Sequence, residues 1–255
     1  MNVDRQPLIS IIMPAFNSEK TIAQSVLSVI KQTVTDWQLI VVEDGSCDST
    51  EMIVNSFGDP RIQYYRNPMN MGVCETRNRA MSLAAGEWIA FLDSDDLWAE
   101  NKLRLQLDCI EKYQAEFVYT AANYINELNQ TYKGISEVPL KVGFNELLKH
   151  NLIICSSVLV KKSLLDGLRF VSDDLSEDYA MWLAILKKIP FAFGVNVPLL
   201  TYRISSSSRS GNKITSLLRG YRVYRYFNIS RLASTGYILS HLFYSYRKYR
   251  RIFSG

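Results

Sequence analysis

The chain of 255 residues is long enough for one large domain with an appendage, and its 47% hydrophobic and 21% charged residues exclude a disordered or fibrous protein. Four widely spaced cysteines without a CxxC pair exclude a zinc-ribbon or disulfide framework and read as reduced thiols of a cytosolic protein. Net charge is only +4, yet no Asp or Glu follows Asp178, and residues 179–255 hold 13 Lys or Arg. The first 178 residues therefore carry 16 basic against 25 acidic side chains. An acidic half joined to a basic tail predicts an anionic partner for the tail: a membrane surface, a nucleic acid or a phosphorylated substrate.

In chain order, LISIIM (8–13) is too short for a signal peptide and reads as a strand stopped by Pro14. Asn17 or Ser18 can cap a helix whose apolar residues Ile22, Val26, Val29 and Ile30 recur at helical spacing. LIVV (39–42) is a second buried strand, and Asp48 or Ser49 starts a second helix. Ile62–Tyr65 is a third strand. A helix is expected from the turn Asn70-Met71-Gly72 to about Ala85, closed by Gly86. WIAFL (88–92) is a fourth strand, followed by a helix from about Leu97 to Tyr113. Residues 117–125 and 153–160 read as further strands of mixed direction, and 177–188 as an amphipathic helix opening with two acids. Residues 205–211 form a polar linker, and from Leu217 arginines alternate with Tyr, Phe, Leu and Ile. Strand–helix alternation with continuous apolar strands predicts a mostly parallel sheet covered on both faces. Such sheets bind ligands beyond the C-terminal ends of their strands.

Several polar clusters fall at those ends. Asp93-Ser94-Asp95 puts two carboxylates on one tight loop, able to share a Mg2+ or Mn2+ ion that substrate phosphates complete. Ending a strand and capping a helix, a role open to Asp96, is the plainer use of the same loop. In Glu43-Asp44-Gly45-Ser46 a carboxylate can accept a uracil N–H or a ribose hydroxyl, although the same residues make an ordinary turn. Glu177-Asp178 opens a helix, where acids favour the dipole; the functional alternative is a general base. Arg77 is either a solvated charge or a partner for a diphosphate.

Together, PAFNSEKTI (14–22), VVEDGSCDST (41–50), NPMNMGVCETRN (67–78), LDSDD (92–96) and SEDYAMWL (176–183) resemble, in order, the family 2 glycosyltransferases of bacterial surface-polysaccharide synthesis. The likeness spans residues 8 to about 205. It implies an α/β fold of the GT-A type: a Rossmann-like, mostly parallel central sheet flanked by helices, plus a C-terminal helical basic appendage. The catalytic domain would be residues 1–205, with a nucleotide-binding half to about 115 and an acceptor half from 116; residues 206–255 would be linker and basic aromatic helices.

The resemblance also implies an inverting, metal-dependent transfer of a hexose or N-acetylhexosamine from a UDP-sugar to a saccharide, linked to a lipid diphosphate, in O-antigen or capsule synthesis. Pro14, Ala15, Asn17, Glu19, Asp44, Arg77, Asp93 and Ser94 would surround the nucleotide sugar, and Asp95 would hold the Mn2+ or Mg2+ ion. Asp178 would be the base, with Glu177 and Trp182 on the acceptor side. Three positions depart from the family pattern: Glu43 replaces a common Asp, Ala184 and Ile185 stand where an Arg is common, and Tyr202-Arg203-Ile204-Ser205 lacks the final His of Tyr-Arg-x-His. That leaves Ser205 to Ser208, Arg209 or Lys213 to cover the diphosphate.

For the tail, an amphipathic helix on an anionic bilayer is expected, which places the protein on the inner face of the plasma membrane. Packing of the tail aromatics on the catalytic domain is the alternative. No nucleic-acid motif is present. The rival functions are a nucleotidyltransferase, disfavoured by a first loop without glycine; a glycoside hydrolase, which needs two carboxylates but no metal loop; and a nucleotide-sugar-binding, membrane-associated protein without activity.

Overall fold

The computed structural model describes residues 6–205 and 213–253. Its elements are β1 Ile9–Ala15, α1 Ile22–Ile30, β2 Trp37–Glu43, α2 Thr50–Asn55, β3 Ile62–Arg66, α3 Val73–Ser82, β4 Trp88–Phe91, β5 Leu97–Trp98 and α4 Lys102–Tyr113. They continue with β6 Phe117–Asn126, β7 Lys141–Val142, α5 Phe144–Lys149, β8 Leu159–Lys161, α6 Glu177–Ile185, β9 Ala192–Ile204, α7 Lys213–Tyr226 and α8 Arg231–Phe253.

All nine strands form one mixed sheet in the order β3-β2-β1-β4-β8-β6-β9-β5, with β7 beside β9. β3, β2, β1 and β4 are parallel, β8 is antiparallel to both β4 and β6, and β6 is parallel to β9. Alternate residues of β1 and β2 feed two cores. Ile12, Ile40 and Val42 face α3 and α6, while Ile9, Ile11, Met13, Leu39 and Val41 face Ile22, Val26 and Val29 of α1. Burial on both faces is why these strands are continuous apolar runs. Successive crossovers run outward from β1 through β2 to β3, then return to β4 on its other side. A crevice therefore opens between the C-terminal ends of β1 and β4. Pro14 is tolerated in central β1 because it faces the side on which β4 has ended; Ile12 already accepts the last such bond, from the Leu92 N–H.

Local expectations fail where tertiary partners compete. The helix expected from Leu97 starts instead at Lys102. Leu97–Trp98 is drawn alongside β9, and Trp98 Nε1 donates to the Ser156 carbonyl at 2.7 Å. Of residues 153–160 only the end is strand, because Cys155–Ser157 form a 3-10 turn under the cleft. α3 covers Val73–Ser82, starting directly after the expected turn and ending short of Ala85. α6 is not amphipathic: Tyr179, Ala180, Met181, Trp182, Leu183 and Ile185 are all buried. It is enclosed by the sheet on one side and α5 and α7 on the other.

The tail docks on the catalytic body through an aromatic seam. Tyr224 of α7 is fully buried and donates to the Leu148 carbonyl at 2.9 Å. His241 of α8 accepts the Asn151 N–H at 2.9 Å, and Tyr244 stacks on His150. Burial lowers His241 to about 4 and His150 to about 3, so both rings are neutral in the seam. All four cysteines are free thiols, Cys47 exposed and the others buried.

Candidate active site

A cleft of about 640 Å3 lies at the C-terminal ends of β1, β2 and β4. Pro14, Ala15 and Phe16 line one wall, with Asp44, Asn70, Gly72 and Thr76 beside them. Asp93, Ser94, Asp95, Glu177 and Asp178 line the same cleft.

Arg77 is the hub. Although it is only 4% exposed, one guanidinium nitrogen donates to Asp93 at 2.6 Å and another to Glu177, 100 residues on, at 2.8 Å. One planar fork thus fixes the strand-end loop against the start of α6. The carboxylates beside it hold its pKa well above the ordinary value against the opposing effect of burial. Arg77 is a buried structural cation with its charge spent on two acids, not the solvated charge that was one expectation.

Asp95 has no basic partner of this kind among the described residues; its backbone carbonyl accepts Arg203 Nε at 2.9 Å. Burial, helped by the charge of Asp93, pushes the Asp95 carboxyl up to about 6. An acid so placed is short of positive charge. The donor set suits Mg2+ or Mn2+, which take one or two carboxylates and leave the remaining positions to water and phosphate oxygens. Among the described residues no cluster of three or more His, Cys, Asp or Glu could hold an ion unaided. With Asp93 committed to Arg77, Asp95 is the carboxylate of this loop left open to an ion. Asp96 is buried, accepts the Arg203 N–H at 3.0 Å, and is held above the carboxylate range by burial.

Asp178 opens α6. Burial, reinforced by the charge of Glu177, raises its pKa to about 7, with Arg77 pulling the other way. This carboxyl can take up or release a proton near neutrality, as a general base requires.

Asp44 is buried and mostly engaged within the protein. Its Oδ1 accepts Asn67 Nδ2 at 2.7 Å and the Met71 N–H at 2.9 Å, and its Oδ2 accepts the Gly72 N–H at 2.9 Å. It therefore shapes the 67–72 loop and keeps acceptor capacity on Oδ2 for a ligand. Gly72 has φ +87°, and a Cβ there would meet the Asp173 carboxylate at 2.0 Å. Asp173 in turn accepts the Cys74 N–H at 3.0 Å, at the start of α3. Glu43 is wholly buried and accepts the Ser46 N–H and the Tyr64 hydroxyl, bracing the loop.

Three expected residues sit elsewhere. Trp182 is fully buried between Phe91 and Phe117, with ring centroids 5.6 and 5.3 Å away. It is a core residue, not an acceptor contact, because α6 turns that face onto the sheet. Glu19 is exposed outside the cleft and accepts the Ser49 N–H at 3.1 Å. Asn17, at φ +47°, does not line the cleft; its Oδ1 accepts the Cys47 N–H at 3.1 Å and its own N–H donates to Ser46 Oγ at 2.8 Å. Both stitch the β1 loop to the β2 loop. Of the residues expected to cover a diphosphate, Ser206–Ser208 and Arg209 lie outside the described residues, and Ser205 donates to Glu127 at 2.6 Å.

Sequence reasoning passed over Phe16, Tyr124, Ser156 and Arg203. Ser156 Oγ accepts the Asp93 N–H at 3.1 Å, and Arg203, 4% exposed, ties β9 to the acidic loop and to Asn129. The Tyr-Arg dipeptide was the signal for Arg203; the others stand alone in sequence.

A crevice at the strand ends, an arginine-braced acidic loop and the Asp178 carboxyl of α6 together fit a transferase site on a GT-A fold. Solved structures agree on the fold. S. aureus TarS 1-349 in complex with UDP-GlcNAc matches with a TM-score of 0.71 at 20% identity, over 86% of this chain and 64% of that one. The mannosyltransferase PcManGT from Pyrobaculum calidifontis, in complex with GDP-Man and Mn2+, matches with a TM-score of 0.67 at 16% identity, over 92% of this chain and 70% of that one. The family described as glycosyl transferase family 2 matches residues 10–166, and the chain belongs to it. Two Escherichia coli relatives are UDP-Glc:alpha-D-GlcNAc-diphosphoundecaprenol beta-1,3-glucosyltransferases. WfgD is 38% identical over 95% of both chains, and WfaP 35% identical over 87% of both.

Proposed function

We propose that this glycosyltransferase moves glucose, with inversion, from UDP-glucose to an N-acetylglucosamine linked through a diphosphate to a lipid, in bacterial surface-polysaccharide assembly. The observation that carries this reading is the Arg77 fork, which holds Asp93 and the Glu177-Asp178 pair together in one cleft that Asp95 also lines. The two glucosyltransferase relatives support the choice of sugar and acceptor.

Asp44 and the loop it shapes hold the uridine end. Asp93, fixed by Arg77, faces the donor sugar. Asp178 takes the proton of the attacking acceptor hydroxyl, and attack opposite the leaving group inverts the anomeric carbon. A divalent ion at Asp95 would supply Lewis-acid neutralisation of the departing diphosphate. A hydrolase would have no use for Asp44 or for a divalent ion at Asp95.

The test is UDP release over a panel of UDP-sugars with a GlcNAc-diphosphate acceptor, with and without Mn2+ or Mg2+. UDP-glucose with metal should react fastest. Asp95→Asn should cut turnover by about 100-fold and weaken metal-dependent UDP binding. Equal turnover after chelation would remove the metal assignment, and sugar release without a nucleotide donor would remove the transferase reading.

Peripheral attachment to the cytoplasmic face of the membrane belongs to the same proposal. No helix among the described residues is long and apolar enough to cross a bilayer. α8 instead exposes Leu232, Leu239, Leu242, Phe243 and Tyr246 beside Arg231, Arg247, Arg250 and Arg251. Apolar side chains among arginines suit an anionic lipid surface. The full chain should sediment with phosphatidylglycerol vesicles and not with phosphatidylcholine vesicles, and Leu239→Asp/Phe243→Asp should stay in solution. Equal recovery of the two proteins would end the membrane assignment.

A further inference from the structure

The inner face of the tail does more than dock. Ser216 and Arg219 of α7 and Lys248 of α8 form part of the cleft wall, together with Tyr124, Asn151 and Tyr202. Charge is sharply divided around this cleft. Its lining acids are Asp44, Asp93, Asp95, Asp173, Glu177 and Asp178, and the one lining base from the catalytic body, Arg77, is consumed by Asp93 and Glu177. The other two lining bases both come from the tail.

Lys248 forms no ion pair with a carboxylate among the described residues; its ammonium lies 5.4 Å from the centroid of the Tyr124 ring. The Tyr124 hydroxyl is buried without a hydrogen-bond partner among the described residues, in a residue only 2% exposed that lines the same cleft. A buried phenol with nothing to donate to is a cost that a ligand oxygen can remove. Arg219, Lys248 and Tyr124, from three elements, thus line one cleft, with the Lys248 ammonium and the Tyr124 phenol side by side.

We propose that Arg219, Lys248 and Tyr124 form a second phosphate-binding position, which holds the diphosphate of the acceptor. This rests on the reading above that the acceptor is a sugar diphosphate. The chemistry is that of any diphosphate, and the nucleotide donor carries one too. The donor's is placed at the Asp95 end, where a divalent ion offsets its charge, so the acceptor's needs cations from the protein itself. The C-terminal helices then take part in acceptor recognition as well as membrane attachment.

The experiment uses the full chain without vesicles, which removes membrane binding from the comparison. Steady-state rates are measured with a short-chain alkyl diphosphate of GlcNAc and with the alkyl glycoside lacking phosphate. Arg219→Gln/Lys248→Gln should raise the KM for the diphosphate acceptor about tenfold or more, the usual effect of losing charge-assisted bonds, and abolish the preference for it over the glycoside. The KM for UDP-glucose should stay within about twofold on the same grounds, since these residues do not meet the donor. Tyr124→Phe, which keeps the ring, should weaken the same acceptor. An unchanged acceptor KM, or a rise that falls on UDP-glucose instead, overturns the proposal. As a readout that does not need transfer, inorganic pyrophosphate is titrated calorimetrically into protein saturated with UDP in metal-free buffer. Binding by the wild type and not by the double variant supports the site even if the sugar assignment fails. No binding by the wild type overturns it even if that assignment stands.

Discussion

Asp178→Asn should lower turnover by about 100-fold or more, the range for losing a general base, while UDP and acceptor still bind. The substitution keeps shape and removes the carboxyl proposed to take the acceptor proton. The pH profile follows from the same environment. Burial and the charge of Glu177 place the Asp178 pKa at about 7, so the basic form is lost as pH falls below that value. Wild-type kcat/KM should decline about tenfold per pH unit below the apparent pKa and level off above it. In the variant that limb should disappear from the residual rate.

Stability should move the opposite way. A carboxyl whose folded pKa is raised stabilises the fold most below its unfolded value, and that contribution is lost as pH rises toward 7. Above pH 7 the ionised Asp178 is a burden on the fold, so Asp178→Asn should melt higher than wild type at pH 8. A residual rate within tenfold of wild type would sink the base assignment. A variant that melts lower would show that the loss came from misfolding.

Arg77→Met should have the second large effect, on stability and activity together. Removing one partner of a buried ion pair costs about 3–5 kcal/mol, because the acids are left without their countercharge. The lower end applies here, since Asp93 is about a third exposed and can recover water. Arg77 also lowers the Asp178 pKa, so its removal should shift the acid limb of the remaining activity to higher pH. Arg77→Lys keeps one charge but cannot serve Asp93 at 2.6 Å and Glu177 at 2.8 Å from one planar group. It should recover much of the stability and little of the rate. Thermal melts and pH–rate profiles of both variants are the measurement. Wild-type melting and an unshifted profile in Arg77→Met would show that the fork does not organise the site.

Much of this molecule was legible before any coordinates. β1, β2 and β4 announce themselves as apolar runs because each is buried on both faces, and the acids at their ends follow from where the runs stop. α1 shows its period because only one face is covered. The elements that were misread are those whose conformation depends on distant partners. Trp98 is pulled from helix to strand by β9 and Ser156. α6 lost its expected polar face because the tail closes over it: Tyr179 donates to the Leu147 carbonyl and meets the Tyr224 hydroxyl at 3.3 Å. Trp182 shares a motif with Glu177-Asp178, but one helical turn beyond Asp178 its ring is already enclosed by Phe91 and Phe117 of the sheet.

By itself, then, the order of residues determined the doubly covered sheet, the family, and which carboxylates would end at the crevice, since strand burial and motif spacing are local properties of the chain. Tertiary structure alone decided that Arg77 is the shared counterion of two acids 84 positions apart, both lining the cleft. It also decided that two bases of the tail reach the site while its aromatic seam packs on the catalytic body. Those outcomes depend on which groups meet in space and how much water they lose, and neither is written in the neighbours a residue has along the chain.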